Sequence, residues 1–233
     1  MAELDQAILE QLRALDTPTV CNALEIVAPD RRGYGYTVRP LVCVRPQLPP
    51  MVGYARTATI RAMHPAGRSG AAAGQHQLAY YEYMGQGAGP RIVVIQDLDD
   101  IPGYGSFWGE VNTNLHRGLG ALGVITDGSI RDLNDLAPGF QALAGAILPS
   151  HAYVHVVDFG GEVHVAGMRT RDGDLIHADQ HGAVVIPHEV ADKVPAAAAL
   201  IARRERVLIN AAQEPGFNFE RLRKAMGDSS QIH

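Results

Sequence analysis

The residue types best suited to chemistry gather in one segment, "VITDGSIRDLND" at 124–135. An apolar run, Val124-Ile125, opens into a turn at Asp127-Gly128, and Arg131 and Asp132 follow side by side. A guanidinium can hold a carboxylate through two parallel hydrogen bonds, and a carboxylate can hold a hard divalent cation through oxygen and water. Alone, the pair reads as surface ions, or as Asp132 capping a helix over "LNDLA". Upstream, "SFWGEVNTN" puts Gly109 and Glu110 at the start of an expected helix, where free backbone N–H groups favour a ligand carboxylate. A helix N-terminus, a guanidinium and two carboxylates in one cleft suit a small oxo-acid chelated to a metal.

Other chemistries find less support. "GYGSFWG" has GxGxxxG spacing, unlike a dinucleotide-binding loop, and the carboxylates of "DLDDIP" just before it would repel a phosphate. His151 and His155, and His177 and His181, are each four apart, yet neither pair forms an HExxH helix and no third ligand is fixed. Most are expected on hairpin faces, with some lining the ligand pocket. No GxSxG elbow is present. Cys21 and Cys43 are the two cysteines and are expected to be buried small apolar residues.

Composition bounds the class. The 233 residues, 46% apolar, can build a sizeable core, and residues 1–233 read as one domain. A net charge of −5 with scattered basic residues disfavours nucleic acid or an acidic membrane as partner. The apolar runs fall short of the about 20 residues a membrane helix needs. "MAELDQAILEQLRALD" is acidic and amphipathic, unlike a signal peptide, so a cytoplasmic location is expected.

The elements that must position the pair follow from periodicity. Leu4, Ile8, Leu12 and Leu15 form one helical stripe, and Asp16 or Thr17 caps a second helix with Pro18 in its first turn; the N-terminal helices span 1–28. After a loop at 29–40 come a short strand in "LVCVRP" and a half-buried strand at 53–62. A helix at 71–85, a strand at 91–98, a glycine loop, a helix at 110–119 and the strand "ALGVIT" follow. That succession puts the glycine loop and the end of the next strand on one sheet edge. "HAYVHVVDFGGEVHVAG" alternates across Gly160-Gly161 and "GDLIHADQHGAVVIP" across "DQHG", which predicts two consecutive hairpins before a final helix at 188–212. The class is α/β, without internal repeats.

The segments "DTPTVCNAL", "GYARTATIR", "WGEVNTN", "GALGVITDGSIRD" and "GDLIHADQHGAVVIP" together resemble the class II, metal-dependent pyruvate aldolases that cleave 4-hydroxy-4-methyl-2-oxoglutarate and the related regulator of ribonuclease activity A, the RraA-like family. Glu110, the residues 111–130 and Arg131-Asp132 reproduce that family's acid, twenty-residue spacer and Arg-Asp, with Glu in place of Asp as the acid. The resemblance implies a β/β/α swivelling-type sandwich with helices at both termini, assembled as a homotrimer or as a hexamer of two trimers. It implies that Arg131 binds the pyruvyl carboxylate or keto oxygen and that Asp132 anchors Mg²⁺ or Mn²⁺. The backbone of Gly109, Glu110, Val111 and Asn112 would cradle the substrate, Glu110 would relay a proton, and Glu205 of a neighbouring subunit would complete the metal side.

The implied activity is retro-aldol cleavage of a 4-hydroxy-2-oxo acid to pyruvate, together with oxaloacetate decarboxylation. The alternatives are a non-catalytic binding protein like the ribonuclease regulator, and a metal lyase of this fold for a sugar acid. In the latter, Trp108 and Phe107 would shape the pocket or fill a subunit interface.

Overall fold

The computed structural model describes residues 3–233. The first helix, α1 (Gln6–Arg13), is capped by Asp5, and α2 (Thr17–Val27) by Asp16, whose carboxylate accepts from the Thr19 N–H at 2.8 Å. Pro18 occupies the first turn of α2, where its missing N–H costs nothing. A 3-10 turn at Pro29–Arg31 leads to β1 (Val42–Cys43), β2 (Met51–Arg61), α3 (Gly70–Met84) and β3 (Arg91–Asp97). Next come β4 (Ser106–Trp108), α4 (Glu110–Gly118), β5 (Ala121–Thr126), β6 (Ser129–Ile130), β7 (Gln141–Ala144) and β8 (Ala146–Ile147). The chain closes with β9 (His155–Phe159), β10 (Val163–Val165), β11 (Met168–Thr170), β12 (Leu175–Asp179), β13 (Gly182–Ile186), α5 (Val194–Gln213) and α6 (Phe219–Ser230).

The main sheet runs β1-β7-β5-β3-β2-β12-β13, with β9 also paired to β2. Strands β2, β3, β5 and β7 are parallel, and β1, β9, β12 and β13 are antiparallel to their neighbours. Side chains alternate across the sheet and divide its apolar surface between two layers. Val93, Ile95, Ala58 and Ile60 face α3 and α4, while Val52, Tyr54, Leu175 and Ile186 on the same side face α1, α2 and α5. The opposite face, with Ile92, Val94, Ile125 and Ile176, is covered by Val163, Val165 and Met168 of the β10–β11 hairpin. Hairpin, sheet and helices therefore stack as β/β/α, with helices at both ends of the chain.

Several expectations change. The strand expected at 53–62 is buried on both faces because it lies centrally, with helices on one side and a hairpin on the other. The hairpin across Asp179-His181 forms, but the one across Gly160-Gly161 does not: β9 pairs with β2, and β10 turns back at Ala166-Gly167 onto β11. The span at 188–212 is a 3-10 turn at His188–Lys193 followed by α5, and α6 is an additional helix capped by Asn218. Cys21 and Cys43 are half-buried rather than interior, and burial together with Asp179 pushes the Cys21 thiol up to about 11.

Candidate active site

Parallel strands leave their ligand-binding edge where loops depart from the carboxyl ends. The segments leaving β3, β5 and β7 build a second small sheet there, in the order β4-β6-β8 and all parallel. Acidic side chains secure the first of these loops. Asp97 accepts the N–H groups of Asp99 at 3.0 Å and Gly103 at 2.7 Å, and Asp127 accepts that of Asp97 at 2.9 Å. Burial raises the carboxyl pKa of both Asp97 and Asp127, so their first task is holding backbone.

At the outer end of this platform, Arg131 donates its backbone N–H to the Trp108 carbonyl at 3.0 Å, which aligns the end of β6 with the start of α4. Asp132 then turns the chain with φ 53°, a left-handed conformation that Asp tolerates better than most residues, and its carbonyl accepts from the Asp135 N–H at 2.9 Å. The turn aims the Asp132 carboxylate at α4. Its Oδ2 lies 3.3 Å from the Glu110 N–H and 3.5 Å from Arg131 Nε. Gly109 makes this approach possible: it is extended, with φ −171°, and a Cβ there would sit 2.5 Å from Asp132 Oδ2. Glycine is required for space, not for backbone freedom.

Arg131, Asp132, Gly109 and Glu110 thus converge as expected, with Val111 exposed on the same first turn. The Arg131 and Asp132 side chains are each more than a third exposed, and an ion pair that wet contributes at most about 1 kcal/mol. The fold therefore does not depend on it, which leaves both groups available to a ligand. Asn112, whose backbone was the part expected to meet the ligand, turns its side chain inward to the Phe107 carbonyl and Tyr81. Glu205 lies exposed on α5, which packs with α2 and α6 over the other half of the sheet, so the protomer does not bring it to Asp132.

Trp108 and Phe107 are interior side chains: they pack with Ile130, Phe140 and Tyr80 in the core and form neither a pocket wall nor an exposed face. All three residues of β4 are buried, as is Gly109 after it, and exposure begins at Glu110. The histidine pairs are structural as well. His177 accepts from the Thr17 hydroxyl at 3.0 Å and donates to the Leu12 and Leu15 carbonyls at 3.1 Å, pinning α1 to α2, while His181 contacts Asp179. His151 and His155 bond carbonyls of their own loop.

Sequence reasoning did not single out Thr113. Its hydroxyl donates to the Gly109 carbonyl at 2.8 Å and accepts the Ala137 N–H at 3.1 Å, tying α4 to the segment after Asp132. The signal was a Thr at the fourth position of a predicted helix, placed to bond back to the residue before it.

Among the described residues, no three or more His, Cys, Asp or Glu side chains gather as a metal cluster. The donor set at Asp132 nevertheless suits Mg²⁺, which keeps most of its water and needs only one or two carboxylates from a protein. Both contacts of Asp132 use Oδ2.

The family model described as RraA-like, Aldolase/RraA, matches residues 17–185, which include the whole of this arrangement. The chain belongs to the Aldolase/RraA family. This chain's fold is shared by an uncharacterized protein of Pseudomonas syringae pv. tomato, with 22% identity, coverage of 96% of this chain and 95% of that one, and a TM-score of 0.71. Streptomyces coelicolor RraAS2, described as an unusual member of the RNase ES inhibitor RraA family, is 19% identical over 88% of this chain and 97% of its own, with a TM-score of 0.69. A structure described as a novel cellulase from gut-associated microbes is 17% identical over 88% of both chains, with a TM-score of 0.72. At these identities the likeness carries the fold alone. No curated protein matches the sequence significantly. Among the described residues, no helix is long and apolar enough to cross a membrane.

Proposed function

We propose that the protein is a divalent-metal-dependent carbon–carbon lyase that releases pyruvate from a 4-hydroxy-2-oxo acid resembling 4-hydroxy-4-methyl-2-oxoglutarate, and that it also decarboxylates oxaloacetate. The observation that carries this reading is the convergence of Asp132, Arg131 and the start of α4, within 3.5 Å of one carboxylate oxygen, at wet positions where the fold gains little from them.

Cleavage between C3 and C4 leaves an electron pair on the pyruvyl unit, and loss of CO₂ from oxaloacetate leaves the same enolate. Mg²⁺ or Mn²⁺, when held by Asp132, supplies Lewis-acid stabilisation of that charge. Arg131 grips the pyruvyl carboxylate or keto oxygen, and as a fixed cation it favours the enolate over the ground state. The N–H groups of Val111 and Asn112, in the first turn of α4 where no helical acceptor precedes them, receive the carboxylate. Glu110, exposed at the mouth, relays the C4 hydroxyl proton. Glu205 enters from a neighbouring subunit of a homotrimer or hexamer, and the enzyme works in the cytoplasm on a free small molecule.

The test is pyruvate release from oxaloacetate and from 4-hydroxy-4-methyl-2-oxoglutarate, with Mg²⁺ and with EDTA. Wild type should be active only with the metal, and Arg131→Ala and Asp132→Asn should each lose about 100-fold or more. Absence of pyruvate from every 4-hydroxy-2-oxo acid, sugar acids included, and from oxaloacetate would sink the proposal. Micromolar capture of ribonuclease E by such an inactive protein would identify a ribonuclease-binding member of the family instead.

A further inference from the structure

Two arms reach from consecutive residues of α3 to one residue of α4. In the first, the Tyr81 hydroxyl donates to Asn112 Oδ1 at 2.8 Å, and Asn112 Nδ2 donates onward to the Phe107 carbonyl at 2.6 Å. In the second, the Tyr80 hydroxyl lies 2.7 Å from His116 Nε2, and His116 Nδ1 lies 2.6 Å from the Asn112 carbonyl. A carbonyl can only accept, so Nδ1 carries the proton and Nε2 accepts from Tyr80. Asn112 is held at its amide nitrogen, amide oxygen and main-chain carbonyl at once.

Tyr80 and His116 are fully buried, and burial holds His116 neutral with a pKa lowered to about 4. Burial also raises the phenol of Tyr81, so both hydroxyls remain donors at neutral pH. These polar groups could have been apolar at less cost to a core. What they fix is the turn that begins at Gly109 and presents the free N–H groups of α4.

We infer that Tyr81 and His116 are positioning residues, which act through Asn112 to clamp the first turn of α4 against β4 so that its N–H groups meet the ligand carboxylate in one place. This rests on the reading of the site as a carboxylate-binding lyase, and it assigns the Asn112 side chain to the clamp rather than to the substrate. A carboxylate held equally in ground and transition states affects KM more than kcat. Loss of the clamp should show that pattern.

The variant is Tyr81→Phe, which removes one hydroxyl and keeps the ring in its packing. Asn112→Ala, which cuts the side-chain arm at its centre, is the stronger form, and Tyr81→Phe answers the question should that variant not fold. Thr37→Val, which removes a hydroxyl that accepts the Ala183 N–H at 3.1 Å beside β13, is the control. Two readouts apply: amide exchange at Thr113, whose N–H closes the first turn onto the Gly109 carbonyl at 3.0 Å, and the KM for pyruvate formation from oxaloacetate with Mg²⁺.

Tyr81→Phe should speed exchange at Thr113 about fivefold, the weight of one ordinary hydrogen bond, and raise KM by up to about fivefold with kcat within about twofold. The control should change neither. Unchanged exchange at Thr113 overturns the clamp, and faster exchange with an unchanged KM in an active enzyme overturns its role in ligand binding. A wild type that makes no pyruvate sinks the proposed function on its own, and the exchange rates then decide the clamp alone.

Discussion

Replacing Gly109 by Ala separates the geometry of the site from the stability of the fold. The new Cβ would stand 2.5 Å from Asp132 Oδ2 and 3.2 Å from Arg131 Cγ, so the carboxylate must retreat by about 0.9 Å to reach ordinary contact at 3.4 Å. Nothing in the backbone resists, because φ at Gly109 is −171°, extended and open to any residue. Asp132 is partly exposed and can swing toward solvent, giving up a 3.3 Å hydrogen bond and a 3.5 Å ion contact. Together these hold about 1 kcal/mol, so melting should fall by no more than about 4 °C.

The proposed catalysis is less forgiving. A group displaced by about 1 Å can cost about 100-fold, or about 2.7 kcal/mol in the barrier. The assay couples pyruvate from oxaloacetate to NADH oxidation by lactate dehydrogenase, with Mg²⁺ saturating, beside a thermal melt of the same sample. A Gly109→Ala protein within threefold of wild-type kcat/KM would refute the argument that Asp132 must stand where Gly109 allows it.

Two further outcomes follow from buried groups. His116 binds its proton less readily when folded, since burial lowers its pKa from 6.5 to about 4, so its contribution is complete above pH 6.5 and is lost as pH falls toward 4. The difference amounts to about 3 kcal/mol. Asp97 and Asp127, raised by burial, act in the opposite direction, so the effect is read as the gap between wild type and His116→Gln in denaturant melts from pH 7 to 4; parallel curves would refute it. Asp172 pairs with the nearly buried Arg56 at 2.7 Å and also accepts from the Tyr83 hydroxyl. Asp172→Ala should destabilise by about 3 kcal/mol and lower melting by about 6–12 °C; a shift under about 2 °C would mean that the Tyr83 carbonyl suffices for Arg56.

The convergence at the candidate site was legible because its parts are local. A buried run, a turn and an Arg-Asp pair read directly from 124–135, and the start of α4 read from Gly109. Strand pairing was not legible in the same way. Gly160-Gly161 has the composition of a tight hairpin turn, but β2 is eleven residues long and β12 pairs with only residues 51–54 of one edge. Residues 58–61 of β2 would leave that edge bare, and β9 takes it. A contact between residues a hundred positions apart has no local signature. The burial of Trp108 was likewise set by Phe140, which stacks on it from the far side of β5 and β6 in the chain. By contrast, α6 could have been read from Asn218 as cap and from Leu222, Ala225 and Ser229 at helical spacing, because Asn218 accepts from the Arg221 N–H as such a cap should.

The small β4-β6-β8 sheet divides labour in the molecule. Each of its pairings joins only two residues of each strand, and the eight-stranded sheet completes its own ladder without it. Its side chains Phe107, Trp108 and Ile130 belong to the core, while Arg131 and Asp132 emerge at its rim beside the buried Gly109. Exchanging rim residues leaves the layers beneath undisturbed, so such a scaffold can take up a new substrate, or give up catalysis, by changing a few positions while the architecture persists.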